Sequence, residues 1–201
     1  MRPAYAYFGI GIVMLLAILA FVNPSFMRGR NTDTPGTLQS SSGATNMTLS
    51  LTSPAFSPNA SIPSQYTCDG ANTSPALTIS GVPEEAKSLA LLMDDPDVPK
   101  QLKPDGVFDH WVVFNIPTRI TEIPADGSVG VAGVNGAGRN AYTGPCPPPQ
   151  YEPSEHRYFF RLYALDTELP LKTGASKQDV LHAMQGHILV QAELVGKYKK
   201  Q

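Results

Sequence analysis

Four short clusters hold most of the side chains in this sequence that could do chemistry: Asp94-Asp95-Pro96-Asp97-Val98-Pro99, Phe108-Asp109-His110-Trp111, Tyr142-Thr143-Gly144-Pro145-Cys146-Pro147-Pro148-Pro149 and His156-Arg157-Tyr158. Three carboxylates within four positions repel one another unless a cation, a donor or water compensates them. Pro96 and Pro99 hold that stretch extended and stiff. His110, His156 and the Tyr158 hydroxyl could ring one small anion with hydrogen-bond donors. In the proline-rich cluster Gly144 permits close backbone approach, and only the amides of Thr143, Gly144 and Cys146 remain to donate. Each cluster alone has an ordinary explanation: a solvated Asp turn, a core histidine satisfied by a carbonyl, a rigid proline turn. Brought together, they make an anion pocket.

The same residues supply little for catalysis. No His-Glu-x-x-His occurs; His182 and His187 are five apart with Gly186 between the helix and the second, and neither His110 nor His156 has a nearby cysteine pair, so a zinc hydrolase has no support. There is no Gly-x-Ser-x-Gly elbow, and Cys146 would have to be a thiolate beside a histidine. A donor-lined pocket needs these histidines without turnover, and the expectation is a protein that is not an enzyme.

Apolar runs of β length and composition adjoin the clusters at residues 89–93, 111–116 and 158–165, which places the polar groups at strand ends, where loops converge. Further candidate strands lie at 47–51, 76–79 and 188–195, separated by Pro and Gly turn signals, so the domain reads as mainly β. One helix is marked by Ser176 as cap and Asp179 three residues later, with Val180, Leu181, Met184 and Ile188 on one face and Gly186 at its end. In the last strand Ile188, Val190, Ala192 and Leu194 alternate with Leu189, Gln191, Glu193 and Val195.

The order of the four clusters, with the upstream Tyr66-Thr67-Cys68-Asp69-Gly70 and Asn72-Thr73-Ser74-Pro75, resembles the phosphatidylethanolamine-binding protein family, also called Raf kinase inhibitor-like proteins, in its bacterial and archaeal branch. The resemblance covers roughly residues 47–198. It implies an antiparallel β-sandwich with a few peripheral helices. It also implies a pocket of Asp95, His110, Gly144, Pro145, Cys146, His156 and Tyr158 for phosphate, a phosphorylated head group or another small anion, with no cofactor and no metal. Asp95 matches the family's pocket acid and His156 its second pocket histidine. Asp97 is read as orienting its loop, and Arg157 as bracing the loops by pairing with an acid such as Asp69 or Asp97. Trp111 is read as a core residue. Cys68 and Cys146 could form a disulfide tying the loop at 67–75 to the pocket wall, or stand as two free buried thiols. The stretch Gln150-Tyr151-Glu152-Pro153-Ser154-Glu155 is longer and more acidic than the family's usual link, which leaves the rim and its ligand preference open. The family also contains inhibitors of serine proteases and of kinases, so a protease or kinase is the alternative partner. If binding needs an imidazolium, affinity for phosphate falls as pH rises through about 6.5.

Residues 3–27 carry no charge and 5–22 are almost wholly apolar, which at about 1.5 Å per residue nearly spans a hydrocarbon core of about 30 Å. Residues 1–30 are therefore expected to be a single-helix membrane anchor with the domain outside the cytoplasm, or else a cleaved signal segment giving a secreted protein. Residues 31–46, rich in Thr, Ser and Gly, read as a flexible linker, and 47–201 as one domain. Three of the 15 basic residues and none of the 17 acidic ones lie in 1–30, leaving twelve against seventeen and a net charge of −5. That balance excludes binding nucleic acid through its phosphates.

Overall fold

In the computed structural model the described residues are 48–201 apart from Ser128; the expected anchor and linker lie outside them. Strands form where β-branched and aromatic residues run between Pro and Gly turns. They are β1 Ser50–Thr52, β2 Leu77–Ser80, β3 Ser88–Asp95, β4 Phe108–Ile116, β5 Glu122–Ile123, β6 Val131–Ala132, β7 Glu155–Leu165 and β8 Ile188–Lys199. A 3-10 turn at Ser64–Tyr66 and one α-helix, α1 at Lys177–Ala183, complete the elements. The strands form two antiparallel sheets, a small one ordered β1-β2-β5 and a large one ordered β6-β4-β3-β7-β8. This is the mainly β, sandwich-like architecture with a peripheral helix that the sequence predicts.

The alternation of each strand depends on how many of its faces are covered. In β2, Leu77 and Ile79 point inward while Thr78 and Ser80 are exposed. They meet Leu89, Leu91, Met93, Phe160 and Leu162 of the large sheet across the main core, which also takes Trp111. On the other face Ala90, Leu92, Phe114 and Tyr163 pack under Leu169, under Val180 of α1 and under Met184, which caps that helix. Central β3 is thus covered on both sides and buried along its whole length. Fully burying a side chain such as Leu89 or Leu91 contributes roughly 1.5 to 3 kcal/mol.

The helix starts as its sequence predicts. The Ser176 hydroxyl accepts from the Asp179 amide at 3.2 Å, and the Asp179 carboxylate accepts from the Ser176 amide at 2.9 Å. Gly186 follows it with φ +79°, a left-handed conformation that stops the helix. Ile188 is the exception on its expected face: it opens β8 and is exposed. Further along β8, Leu194, Gly196 and Tyr198 face inward and are buried, whereas Val190 and Ala192 are only half-buried, because β8 is an edge strand.

One expectation holds at the strand ends and one needs correction. The polar clusters fall at strand ends as expected, and the pairing of β3 with β4 runs out to Asp94 with Asp109 and Asp95 with Phe108, so these residues are the last paired ones of their strands. The membrane-anchored, extracytoplasmic localisation is not retained. Among the described residues no helix is long and apolar enough to cross a membrane, α1 having seven residues, and residues 1–30, on which that expectation rested, lie outside those described.

Candidate functional site

Because side chains alternate across a sheet, the pairs Asp94-Asp95 and Asp109-His110 each send one residue to each face. Asp95 lies on the face of the large sheet that carries His110, His156 and Tyr158, while Asp94 and Asp109 lie on the face covered by α1. Strands β3, β4 and β7 thereby bring one acid, two imidazoles and a phenol together from positions up to 63 residues apart.

His156 Nδ1 lies 2.7 Å from Asp95 Oδ2, with both residues buried. The other Asp95 oxygen accepts from the Asp97 amide at 2.8 Å. A carboxylate can only accept, so His156 carries its proton on Nδ1 when neutral. Its Nε2 and the Tyr158 hydroxyl are buried with no hydrogen-bond partner among the described residues. Leaving such a group unsatisfied costs about 1 to 3 kcal/mol, so each is a point where a ligand or water can complete the bonding. His110 Nδ1 lies 2.6 Å from the Thr143 carbonyl, and the Thr143 amide donates back to the His110 carbonyl at 3.0 Å. The same rule places the proton of neutral His110 on Nδ1. Burial holds His110 below the usual imidazole range, opposed by the Thr143 carbonyl and by Asp95. Burial raises Tyr158, which stays protonated. The rings of Phe108 and Tyr158 stack against His110 at 4.7 and 5.2 Å.

A cavity of about 200 Å³ opens beside these groups. Asp95, His110, Gly144, Cys146 and His156 line it, as do Val98, Phe108, Thr143, Pro147 and Pro148. Two expected residues stand behind this wall. Tyr158 is fully buried against His110, and the Pro145 carbonyl accepts from the Cys68 amide at 3.0 Å. Cys68 and Cys146 form a disulfide with Cα atoms 5.4 Å apart, holding the proline-rich wall to the upstream loop. The Gly144 amide donates to the Asn72 side chain at 2.7 Å. A Cβ on Gly144 would come within 2.5 Å of the Tyr66 carbonyl oxygen, so glycine is required by close approach. Of the three amides predicted free for a ligand, those of Thr143 and Gly144 are thus used inside the protein. Only that of Cys146 has no acceptor among the described residues.

Arg157 takes Asp97 as its partner and not Asp69. Its Nε and Nη2 donate to the two carboxylate oxygens at 2.9 and 2.7 Å, and its amide donates as well. These bonds hold Asp97 below the usual carboxylate range. Asp69 instead accepts from the Tyr198 hydroxyl.

Behind the pocket lies a charge cluster that the motifs did not disclose. Lys177 Nζ, buried at the first position of α1, donates to Asp94 at 2.9 Å and Asp109 at 2.5 Å, and Arg161 donates to Asp94 at 2.6 Å. Asn72, Val98 and Phe108, which the motifs include without a role assigned to them, also stand at the site. Phe108 could have been found by its i, i+2 relation to His110, whereas Asn72 and Lys177 act across 72 residues or about 70 to 80 and leave no local signal.

Comparison with known proteins places this geometry in context. The profile of the family described as phosphatidylethanolamine-binding protein matches residues 52–199. The chain is similar to a UPF0098 protein of Methanothermobacter thermautotrophicus, 51% identical over 159 residues, covering 76% of this chain and 99% of that protein. A UPF0098 protein of Chlamydia pneumoniae is 46% identical over 153 residues with the same two coverages. Among solved structures, a proposed phosphatidylethanolamine-binding protein homologue from Chlamydia trachomatis superposes with a TM-score of 0.73 at 43% identity, covering 77% of this chain and 99% of that one. E. coli YBCL, described as a new member of the mammalian family, gives 0.68 at 30% identity over 76% and 99%.

Proposed function

The chain belongs to the phosphatidylethanolamine-binding protein family, and from that premise we propose that it is a non-catalytic binding protein for a small oxyanion, either phosphate or a phosphorylated head group, held in the cavity between His110, His156 and the Cys146 wall. The observation that carries this reading is the buried His156 Nε2, without a hydrogen-bond partner among the described residues, on a residue that lines a cavity of about 200 Å³. That volume suits a phosphate-sized group and is below the roughly 300 to 1,000 Å³ of sites that enclose larger ligands.

The non-catalytic part rests on the nucleophile. Asp95 and His156 have the form of a base held by a carboxylate, but such a base needs a group to activate. Tyr158 is held protonated by burial, and Cys146 is bound in a disulfide.

The test is calorimetric titration of the full chain with phosphoethanolamine and with inorganic phosphate, repeated on His156→Ala and His110→Ala. Binding of at least one ligand by the wild type, weakened tenfold or more in His156→Ala with the fold retained, is expected. If folded wild-type protein binds neither, the reading fails. A protein-directed role, with the exposed acidic rim at residues 150–155 facing a protease or kinase, then becomes the one to pursue.

A further inference from the structure

Both imidazoles that line the cavity are tied at the same ring atom. His110 Nδ1 meets the Thr143 carbonyl and His156 Nδ1 meets the Asp95 carboxylate, two groups that can only accept. In each neutral ring the proton is therefore on Nδ1, and Nε2 carries a lone pair. The surrounding charges are already matched: Asp97 by Arg157 on β7, and Asp94 and Asp109 by Lys177 of α1 and Arg161 of β7. Asp95, whose side-chain partner is the ring of His156, is the carboxylate at the cavity. A fully ionised oxyanion would meet that carboxylate and two lone pairs, with the Cys146 amide as the donor left on the wall. The pocket's polarity suits a ligand that brings a hydrogen of its own.

Resting on the anion-pocket reading, we infer that the site binds its ligand together with one proton: it selects weak-acid oxyanions that can carry an ionisable O–H near neutral pH, phosphate monoesters as monoanions foremost, over strong-acid anions such as sulfate. The second ionisation of a phosphate monoester has a pKa near 6, so at pH 7.5 the free ligand is mostly dianionic. On binding, the buffer acid gives up a proton to a phosphate oxygen, and the resulting P–O–H donates to an imidazole Nε2. Sulfate cannot hold that proton, and its binding needs an imidazole to be charged instead. Burial of His110 opposes that charge, which leaves the ring of His156, 2.7 Å from Asp95, as the one to take it when sulfate binds.

The experiment is calorimetry on the full chain with phosphoethanolamine, inorganic phosphate and sulfate, from pH 6.5 to 8.5, in pairs of phosphate-free buffers with different ionisation enthalpies. The expected result is uptake of about one proton per bound phosphoethanolamine at pH 7.5 and affinity that tightens about tenfold from pH 8.5 to 7.5. Sulfate is expected at least tenfold weaker than phosphate at pH 7.5, recovering as pH falls. Tighter binding of phosphoethanolamine identifies a head group as the source and tighter inorganic phosphate the free ion; both support the inference if the proton is taken up. Buffer-independent heats with pH-flat affinity, or sulfate equal to phosphate, overturn it while leaving the anion pocket standing. Absence of heat with all three ligands overturns the pocket reading beneath it.

Discussion

At the scale of single residues, the site depends on which atom of each ring is occupied. The carboxylate of Asp95 and the carbonyl of Thr143 fix neutral His156 and His110 in one tautomer each, leaving Nε2 of both without a protein partner among the described residues. Burial also makes His110 a sensor of fold stability. In the unfolded chain it takes a proton near pH 6.5, whereas in the folded chain it resists protonation. Its contribution is therefore fully present above about pH 6.5 and is lost as pH falls through the lower folded-state value. The melting temperature of ligand-free protein should drop between pH 7.5 and 5, and His110→Gln should flatten that drop. Equal drops in both proteins would place the acid sensitivity in other groups. The types of His110, His156 and Tyr158 were legible from the sequence, because imidazoles at strand ends are chemically conspicuous. Their ring states were not, because these depend on Thr143 and Asp95 in three dimensions.

At the scale of elements, the helix face and the pocket face of the large sheet are joined through adjacent residues. Lys177, the first residue of α1, grips Asp94 and Asp109, and their neighbours Asp95 and His110 line the cavity. Removing one partner of a buried ionic group leaves uncompensated charge. Lys177→Met should lower unfolding stability by about 3 kcal/mol, at the lower end of such losses because Arg161 still serves Asp94. It should also weaken phosphate binding by disturbing both strand ends. Ser176→Ala, one residue earlier, should cost about 1 kcal/mol through loss of the cap and leave binding unchanged. Chemical denaturation of the two variants separates these cases, and a Lys177→Met protein as stable as wild type would refute the brace. The cap was readable because Ser176 and Asp179 are three residues apart. The brace was not, since its partners lie 83 and 68 residues away. β5 and β6, two residues each, have no periodicity to detect, and they exist because β2 and β4 offer edges to pair. The strand at Ser88–Asp95 was recognised from composition, burial on both faces having erased the alternation that marks β2.

At the scale of the whole molecule, two sheets bury a shared core while the pocket is assembled at one end of the large sheet and walled by a segment that has no strand of its own. The disulfide from Cys68 to Cys146 restrains that wall across 78 residues of sequence. By loop-closure entropy such a link contributes about 4 kcal/mol. The double variant Cys68→Ser, Cys146→Ser should therefore lose about that much unfolding free energy. An unchanged denaturation midpoint would show that the wall is held by the Gly144 and Cys68 amide bonds alone. The central claim is that an oxyanion meets the free ring nitrogens of His156 and His110. The sequence contains four histidines, and the other two, His182 and His187, are exposed, so they serve as internal controls. The most direct measurement is nitrogen-15 NMR of the imidazole rings in the full chain during titration with phosphoethanolamine at pH 7. The account predicts that the Nε2 signals of His156 and His110 shift and saturate together at one ligand per chain while those of His182 and His187 stay in place. Shifts confined to His182 and His187, or no shift in any ring, would contradict it.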